Sequence, residues 1–322
     1  MSQRLVYFNG EYIPESQAKV SIYDSSLMFG DMVFEMTRSF NKKQFKLKEH
    51  IDRLLLGLKI LRIKINVGAN ELERICLKTM EVNDPYFSND DEHRLMIDIT
   101  RGPLDIYKKV TDIHNGSNII IADFPLRWTV SNMGHLFTDG INAVIPNQRA
   151  IPSRLLDPKI KNRSRLHYLM ANIEVSRFRG KDNWAILLDD DGFVCEGTGD
   201  NVFIVKNQTV YTPEGRNILR GISRGYVINE LCRELGIRCI EKNLEPFDFF
   251  EADEAFMTGT PFCMLPVTTL DGIKIGNGLP GSTFAKLLNK WSENVGVNIK
   301  EQIVNWNSEA KNESISSPYQ FK

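Results

Sequence analysis

A lysine at the end of a proline-containing loop is the residue of this chain best suited to covalent chemistry. The loop, Asp157–Arg163, contains Lys161 and runs into apolar residues at helical spacing: Leu166, Leu169, Met170 and Ile173. Lys161 is therefore predicted at a loop-to-helix junction, where its amine can point into a cleft. A lysine that attacks a carbonyl carbon must be neutral, which requires a desolvated or cationic setting. Arg163 and Arg165 are the candidate neighbouring cations.

Three later motifs carry groups that can act with such a lysine. Glu196 ends a predicted strand before a Gly-Thr-Gly turn, Leu219–Arg224 opens a predicted helix, and Met257–Thr260 ends in Thr-Gly-Thr. A carboxylate keeps an aromatic ring nitrogen protonated, and amides at a helix start bind phosphate. A dinucleotide loop at Glu196 is excluded, because Val202 stands where a third glycine is needed. A lysine, a carboxylate, a helix N-terminus and a Thr-Gly-Thr turn can together bind pyridoxal phosphate.

The order of these motifs resembles that of the class IV aminotransferases, the pyridoxal-phosphate enzymes of fold type IV. Phe29-Gly30-Asp31 and Glu49–Leu54 add to the resemblance, which runs from about Tyr7 to about Trp291. The family includes branched-chain and D-amino acid aminotransferases, (R)-amine transaminases and aminodeoxychorismate lyase. The resemblance implies an α/β fold of two domains, with a small N-terminal α/β domain and a larger C-terminal domain rich in antiparallel hairpins.

The resemblance also implies a role for each motif. Lys161 would form an aldimine with the cofactor and then move the proton between substrate Cα and cofactor C4′. Lys159 is the rival lysine, but Ile160-Lys161 matches the apolar-lysine pair of the family. Glu196 would pair with the pyridine nitrogen. The other implied cofactor ligands, which serve the phosphate, are Arg53, Gly221, Ile222, Ser223 and Thr260.

The substrate residues depart from the patterns of the known subgroups. Leu166 stands where branched-chain enzymes carry a tyrosine, and Pro261 lacks the N–H that they use for the substrate carboxylate. An arginine is therefore predicted to bind the carboxylate, Arg101 before Arg38, and Phe34 is predicted to form an apolar wall. The expected reaction moves an amino group from a branched-chain-like amino acid to a 2-oxo acid. The alternatives are a D-amino acid or (R)-amine transaminase, a lyase like aminodeoxychorismate lyase, and a non-catalytic cofactor-binding protein.

The chain of 322 residues is long enough for two modest domains. The periodic pattern weakens after Phe124, which predicts a small domain over 1–128, a linker over 129–138, a cofactor-binding domain over 139–300 and a polar tail over 301–322. The clearest predicted elements are a hairpin turning at Asn9-Gly10, a strand over Val33–Phe40, helices over Lys48–Leu61, Ala69–Val82, Ser223–Leu235 and Gly281–Asn294, and hairpins between Trp184 and Thr212.

Composition argues against several other classes of protein. The net charge of −1 offers no basic surface for nucleic acid. No apolar run reaches the length of a membrane span, and Arg4, Asn9 and Glu11 interrupt any signal peptide. The five cysteines form no Cys-x-x-Cys pair and the five histidines show no metal spacing, so we expect free thiols, a cytoplasmic location and no metal. The family resemblance implies a homodimer or a larger homo-oligomer.

Overall fold

The computed structural model describes residues 3–107, 109–110 and 112–309, and these residues form two compact units. Unit 1 contains the described residues up to Trp128 together with Ile160–Arg165. Unit 2 contains Thr129–Lys159 and the described residues from Leu166 onward. The lysine-bearing segment thus belongs to unit 1, although it follows Thr129–Lys159 of unit 2 in the sequence. Of the predicted polar tail, residues 310–322 lie outside the described residues.

Unit 1 is built on a five-stranded antiparallel sheet. Its strands and helices are β1 (Leu5–Phe8), β2 (Glu11–Pro14), α1 (Ser25–Phe29), β3 (Met32–Met36), β4 (Ser39–Phe40), β5 (Lys43–Gln44), α2 (Leu47–Leu61), α3 (Ala69–Asn83), β6 (His93–Thr100) and β7 (Ile119–Pro125). The sheet order is β2-β1-β7-β6-β3, and β4 and β5 form a separate two-stranded ribbon.

Local sequence explains much of this unit. Asn9 and Gly10 have φ values of 52° and 105°, as a two-residue turn between antiparallel strands requires, and the predicted hairpin is confirmed. Helix α2 begins one residue earlier and α3 ends one residue later than predicted. Their apolar faces join the sheet in one buried core, which includes Leu54, Leu58, Leu72, Ile75, Leu95 and Ile97. Burial of these faces is the main force that holds the helices on the sheet.

The predicted strand over Val33–Phe40 is divided in two, because its halves pair with different strands. Met36 at the end of β3 lies opposite Met96 of β6. Ser39, in contrast, lies opposite Gln44 of β5. The periodic pattern of a sequence does not show such a change of partner, since both halves are extended and largely buried.

Unit 2 is built on a nine-stranded mixed sheet. The helix α4 (Arg127–Val130) spans the boundary between the units. The following elements are α5 (Leu136–Asp139), β8 (Ile141–Val144), α6 (Leu166–Val175), β9 (Asn183–Leu188), β10 (Val194–Gly197), β11 (Asn201–Lys206), β12 (Thr209–Thr212), α7 (Ile222–Tyr226), α8 (Cys232–Glu234), β13 (Cys239–Glu241), α9 (Pro246–Phe250), β14 (Glu254–Gly259), β15 (Cys263–Leu270), β16 (Ile273–Lys274), α10 (Ser282–Val295) and α11 (Ile299–Glu309).

The strand order is β10-β9-β8-β15-β14-β11-β12-β13, with β16 beside β15. The predicted hairpins are confirmed by the antiparallel pairs β9–β10 and β11–β12, and β14–β15 adds a third. The sheet is mixed because β8 runs parallel to β9 and β15, and β12 runs parallel to β13. The helix predicted over Ser223–Leu235 is continuous from α7 to α8, with a π-helical turn at Val227–Leu231 between them. Helix α11 makes the first part of the predicted tail helical.

Candidate active site

The segment that carries Lys161 is fixed along β3 by its main chain. The Phe34 N–H donates to the Lys161 carbonyl at 2.9 Å, and Val33 forms a β-bridge with Asn162. Ile160, the preceding residue, is buried in the core of unit 1. The lysine backbone is therefore part of the rigid framework of the unit rather than of a free loop.

The Lys161 amine lies against an aromatic ring that is itself buried. Its Nζ is 4.7 Å from the ring centroid of Phe34, and the guanidinium carbons of Arg163 and Arg165 lie 3.8 and 5.7 Å from the same ring. The two predicted neighbouring cations are thus in place. Lys159 has other partners in unit 2, since its Nζ lies 2.7 Å from Asp157 and donates to a backbone carbonyl at 3.0 Å. Lys161 thus lies against Phe34 in unit 1, whereas Lys159 is paired within unit 2.

Arg53, the predicted phosphate ligand of unit 1, belongs to a buried charge network. Its Nε and Nη2 donate to the two carboxylate oxygens of Glu35 at 2.6 and 2.8 Å. His50 Nδ1 lies 2.7 Å from the same carboxylate, which is fully buried. Burial alone would raise the pKa of Glu35, but Arg53 and His50 outweigh burial and hold that pKa well below its usual range. The network fixes the orientation of the Arg53 guanidinium, and its contact with a phosphate stays a prediction.

The two arginines predicted to bind a substrate carboxylate have structural partners in unit 1. Arg101 forms a two-pronged ion pair with Asp31, and its Nη2 donates to the Leu61 carbonyl at 2.8 Å. Arg38 is buried, stacks at 3.8 Å over Phe40 and donates through Nε to a backbone carbonyl at 3.2 Å. These contacts tie Arg101 to the end of α2, and neither arginine is shown to serve a substrate.

Glu196 is buried at the end of β10 and accepts three hydrogen bonds. Tyr168 Oη donates to Oε1 at 2.9 Å, and Oε2 accepts from Asn201 Nδ2 at 2.9 Å and from the Leu219 N–H at 3.0 Å. Donors at both oxygens are the arrangement that suits an ionised carboxylate. Sequence reasoning identified Glu196 but missed Tyr168 and Asn201, because only the packing of α6 and β11 brings them to the carboxylate.

The helix start predicted to bind phosphate lies beside this network. Gly221 precedes α7 and provides no side-chain cap, so the first amides, those of Ile222 and Ser223, point out of the helix end without intrahelical partners. A Cβ atom on Gly221 would lie 2.1 Å from Asn201 Oδ1, so only glycine fits there. Asn201 also donates to the Leu219 carbonyl at 3.0 Å. One side chain thus connects the Glu196 carboxylate to the helix start.

The β14–β15 hairpin adds a polar group to unit 2. Thr258 lies opposite Asn201 in the sheet, and its hydroxyl oxygen is buried without a hydrogen-bond partner among the described residues. Gly259 pairs with Cys263, so Thr260 and Pro261 lie in the tight loop that joins the strands. Cys263, the first residue of β15, adopts a positive φ of 64° directly after this loop. A polar ligand bound beside this loop could form the hydrogen bond that the buried Thr258 hydroxyl lacks among the described residues.

These groups fit pyridoxal phosphate by their chemistry. In unit 2, an anionic carboxylate suits a protonated ring nitrogen, and an uncapped helix start suits a phosphate. The close approach of Asn201 to Gly221 leaves no room for a side chain at the helix start, which keeps its amides accessible to a ligand. In unit 1, Lys161 is the lysine predicted from the sequence to react with the cofactor, and that role stays a prediction.

Comparison with known proteins decides the family. The model of the family described as amino-transferase class IV matches residues 32–270. The chain belongs to the class IV aminotransferases. It is similar to a putative branched-chain-amino-acid aminotransferase of Methanocaldococcus jannaschii, with 38% identity over 89% of this chain and 95% of the relative. It is also similar to the branched-chain-amino-acid aminotransferase of Escherichia coli, with 30% identity over 86% of this chain and 88% of that relative.

Solved structures agree with this assignment. A crystal structure of the Escherichia coli branched-chain amino acid aminotransferase superposes with a TM-score of 0.79 at 27% identity, covering 91% of this chain and 94% of that one. A T.th. branched-chain amino acid aminotransferase, solved with pyridoxamine 5′-phosphate, gives a TM-score of 0.80 at 25% identity, covering 95% and 98%. The fold is therefore fold type IV, the protein is a transaminase, and its cofactor is pyridoxal 5′-phosphate. The lyase alternative is not favoured.

Two other kinds of site find no support in the described part of the chain. None of the helices there is both long and apolar enough to cross a membrane. Among the same residues, no group of three or more His, Cys, Asp and Glu side chains is arranged to hold a metal ion.

Proposed function

We propose that this class IV aminotransferase moves the amino group of a branched-chain amino acid to a 2-oxo acid, with Lys161 as its catalytic residue. The observation that carries the proposal is the position of Lys161 Nζ, 4.7 Å from the buried ring of Phe34. An apolar face beside the reactive amine suits an aliphatic substrate side chain, whose burial against it is favourable. The names of the similar proteins support the same substrate class.

The cofactor, when bound, supplies a carbonyl carbon for the amino group and an electron-withdrawing ring. Lys161 would hold that carbon when no substrate is bound, and its amine would act as the base for the proton on substrate Cα. Glu196 keeps the ring nitrogen protonated. Ile222, Ser223 and Thr260 hold the phosphate, with Gly221 giving access to the helix start. Arg53, oriented by Glu35, supplies a fixed positive charge to the cofactor.

The proposal assigns the substrate carboxylate to an arginine. Pro261 has no N–H to offer it, which supports binding by an arginine, as predicted for Arg101 and Arg38. Because Arg101 is already bound to Asp31, it can serve the substrate only by exchanging that partner. Branched-chain donors are the favoured substrates, and D-amino acids and (R)-amines are the alternatives that an experiment has to exclude.

We also propose that the protein is a homodimer. Five large apolar residues are exposed within one short segment of unit 1, namely Val20, Ile22, Leu27, Met28 and Phe29. Asp24 anchors this segment, accepting hydrogen bonds from Thr100 and Asn118 at 2.7 Å each. A rigid apolar segment of this kind is typical of a subunit interface. Phe29→Asp should produce a monomer by light scattering, whereas Phe247→Asp, at an equally exposed phenylalanine of unit 2, should not.

The cysteines support a reducing compartment, such as the cytoplasm. All five are free thiols, and four of them are buried. Burial raises the pKa of the Cys76 thiol to about 12, which makes it unreactive. Cys76 therefore has a packing role, and the free thiols as a set support our proposal of a cytoplasmic location.

A half-reaction screen tests the proposed substrate class. The holoenzyme is mixed with one amino donor at a time, and the loss of absorbance of the lysine-bound cofactor is followed by stopped flow. We expect leucine, isoleucine and valine in the L form to react fastest, with their D forms and (R)-1-phenylethylamine much slower. Faster reaction with a D-amino acid or an (R)-amine would contradict the proposed substrate class but not the transaminase assignment.

A further inference from the structure

Tyr168 has a position in unit 2 that the roles proposed so far do not use. It lies on α6, and its ring packs against the core that contains Val144, Ala171 and Cys195. Its hydroxyl donates to Glu196 Oε1 at 2.9 Å. A second hydrogen bond joins α6 to the turn after Glu196, since Thr198 Oγ1 donates to Asn172 Oδ1 at 3.1 Å.

The structure assigns Tyr168 as a positioning residue that acts on the cofactor ring nitrogen through Glu196. This inference rests on the proposed role of Glu196 as the ring-nitrogen partner. Because the effect argued here passes through Glu196, we call Tyr168 a positioning residue. The inference adds to the site a side chain that no sequence motif indicated.

The hydrogen bond from its phenol gives Tyr168 its effect on Glu196. A phenol, a side-chain amide and a backbone N–H stabilise the carboxylate anion by hydrogen bonding, but they bring no positive charge of their own. Each of the three bonds also lowers the affinity of the carboxylate for a proton. A proton shared between Glu196 and a ring nitrogen is therefore kept on the nitrogen.

Tyr168 also sets the orientation of the carboxylate. The other two donors, from Asn201 and Leu219, both bind Oε2. The Tyr168 hydroxyl donates to Oε1. It therefore opposes rotation of the Glu196 carboxylate about the Cγ–Cδ bond. Without this donor, we expect Oε1 to turn and to become more basic, and the shared proton to move towards Glu196.

Tyr168→Phe removes the hydroxyl and keeps the ring that packs in the core. Hydrogen bonds to charged groups correspond to roughly ten- to a hundredfold in an equilibrium or a rate. We therefore expect the half-reaction with leucine to slow by about tenfold or more, through its rate at saturation rather than through KM. Since Glu196 stays in place, the affinity for pyridoxal phosphate should change less than the rate.

The test uses pyridoxal phosphate labelled with ¹⁵N at the ring nitrogen and bound to the full-length protein. The chemical shift of this nitrogen reports its protonation and is independent of turnover. In the parent protein we expect a protonated nitrogen, and in Tyr168→Phe a shift towards the unprotonated value. Two controls should match the parent: Thr198→Val, which cuts only the second bond to α6, and Tyr211→Phe, a tyrosine on β12 next to Lys242.

The nitrogen shifts of the variants distinguish a failure of the Tyr168 role from a failure of the Glu196 role. If Glu196→Gln changes the nitrogen shift and Tyr168→Phe does not, Tyr168 has no positioning role, and Glu196 keeps its own. If Glu196→Gln leaves the shift unchanged, the proposed ring partner is wrong and the role of Tyr168 falls with it. An equal change in Thr198→Val and Tyr168→Phe would assign the effect to the placement of α6 and overturn the role of the hydroxyl.

Discussion

The two units hold their functional groups by different interactions. In unit 1, cations are paired with anions or aromatic rings: Arg53 with Glu35, Arg101 with Asp31, and Arg163 with Asp98 and the Phe34 ring. In unit 2, Glu196 is held by a phenol, an amide and a backbone N–H. A charged partner fixes a side chain and neutralises it. A neutral donor fixes a side chain and leaves its charge to act on a ligand.

This difference matches the tasks proposed for the two units. Arg53 needs a fixed position, which a buried ion pair provides, at the cost of much of its net charge. Glu196 has to stay negative beside a cationic ring, so neutral donors suit it better. Lys161 is an intermediate case, because its amine and two guanidinium groups lie against the same aromatic ring. The variants that follow test these three situations, from the largest expected effect to the smallest.

Lys161→Ala should have the largest effect, because the proposed covalent bond to the cofactor depends on this one amine. We expect the absorbance of lysine-bound cofactor and all turnover to disappear. The phosphate contacts proposed for unit 2 should still retain some cofactor, measured as pyridoxal phosphate that copurifies with the protein. Lys159→Ala is the matched control, and it should keep both absorbance and turnover.

Glu35→Gln should cost the most stability. It leaves Arg53 and His50 without their buried anion, and breaking a buried ion pair in this way costs about 3–5 kcal/mol. The measurement is the free energy of unfolding from urea titrations. Glu71→Gln, at an exposed glutamate paired with Arg74, should leave that free energy nearly unchanged. Similar effects of the two variants would contradict the importance of the buried network.

The pH dependence of Glu35→Gln has a defined sign. The pKa of Glu35 is lower in the folded protein than in the unfolded chain, where a glutamate titrates near about 4.3. Its contribution is therefore complete above that pH and is lost as the pH falls through the lower folded value. The stability difference between parent and variant should be constant near neutral pH and shrink below about pH 4.3. A difference that grows on acidification would show that the carboxylate is not held as an anion.

Glu196→Gln should slow the half-reaction with leucine by ~10²–10³, because it removes the charge that keeps the ring nitrogen protonated. The amide has nearly the size of the carboxylate, so cofactor loading should fall much less than the rate. Stopped-flow absorbance gives both quantities. Glu214→Gln, at an exposed glutamate paired with Arg216, is the control and should react like the parent. A Glu196→Gln enzyme as fast as the parent would remove Glu196 from the mechanism.

Arg101→Ala should have the smallest effect on catalysis. Its guanidinium is already bound to Asp31 and to a carbonyl at the end of α2, so we expect KM for amino acids to change by less than about fivefold. Carboxylate-free amines should be affected to the same degree. A loss confined to substrates with a carboxylate would support the prediction made from sequence, in which Arg101 binds that group.

The elements predicted correctly are those that depend on residues close together in the sequence. The Asn9-Gly10 turn, helices α2 and α3 and the hairpins of unit 2 follow from residue type and periodicity. The division of the Val33–Phe40 strand does not, because it depends on which strands lie alongside. The bond between Tyr168 and Glu196 joins residues 28 apart in sequence and exists only because α6 packs beside β9. The partners of Arg53 and Arg101 were hidden for the same reason, since charge pairing across the fold leaves no local pattern.

The central claim, that Lys161 carries the cofactor, can be tested directly by chemical trapping. Borohydride reduction of the holoenzyme fixes the cofactor to its lysine, and mass spectrometry of the peptides then locates the added phosphopyridoxyl group. We predict this group on Lys161 alone, with Lys159 unmodified. Its presence on Lys159, or on any lysine outside Ile160–Arg165, would contradict the assignment of the active site.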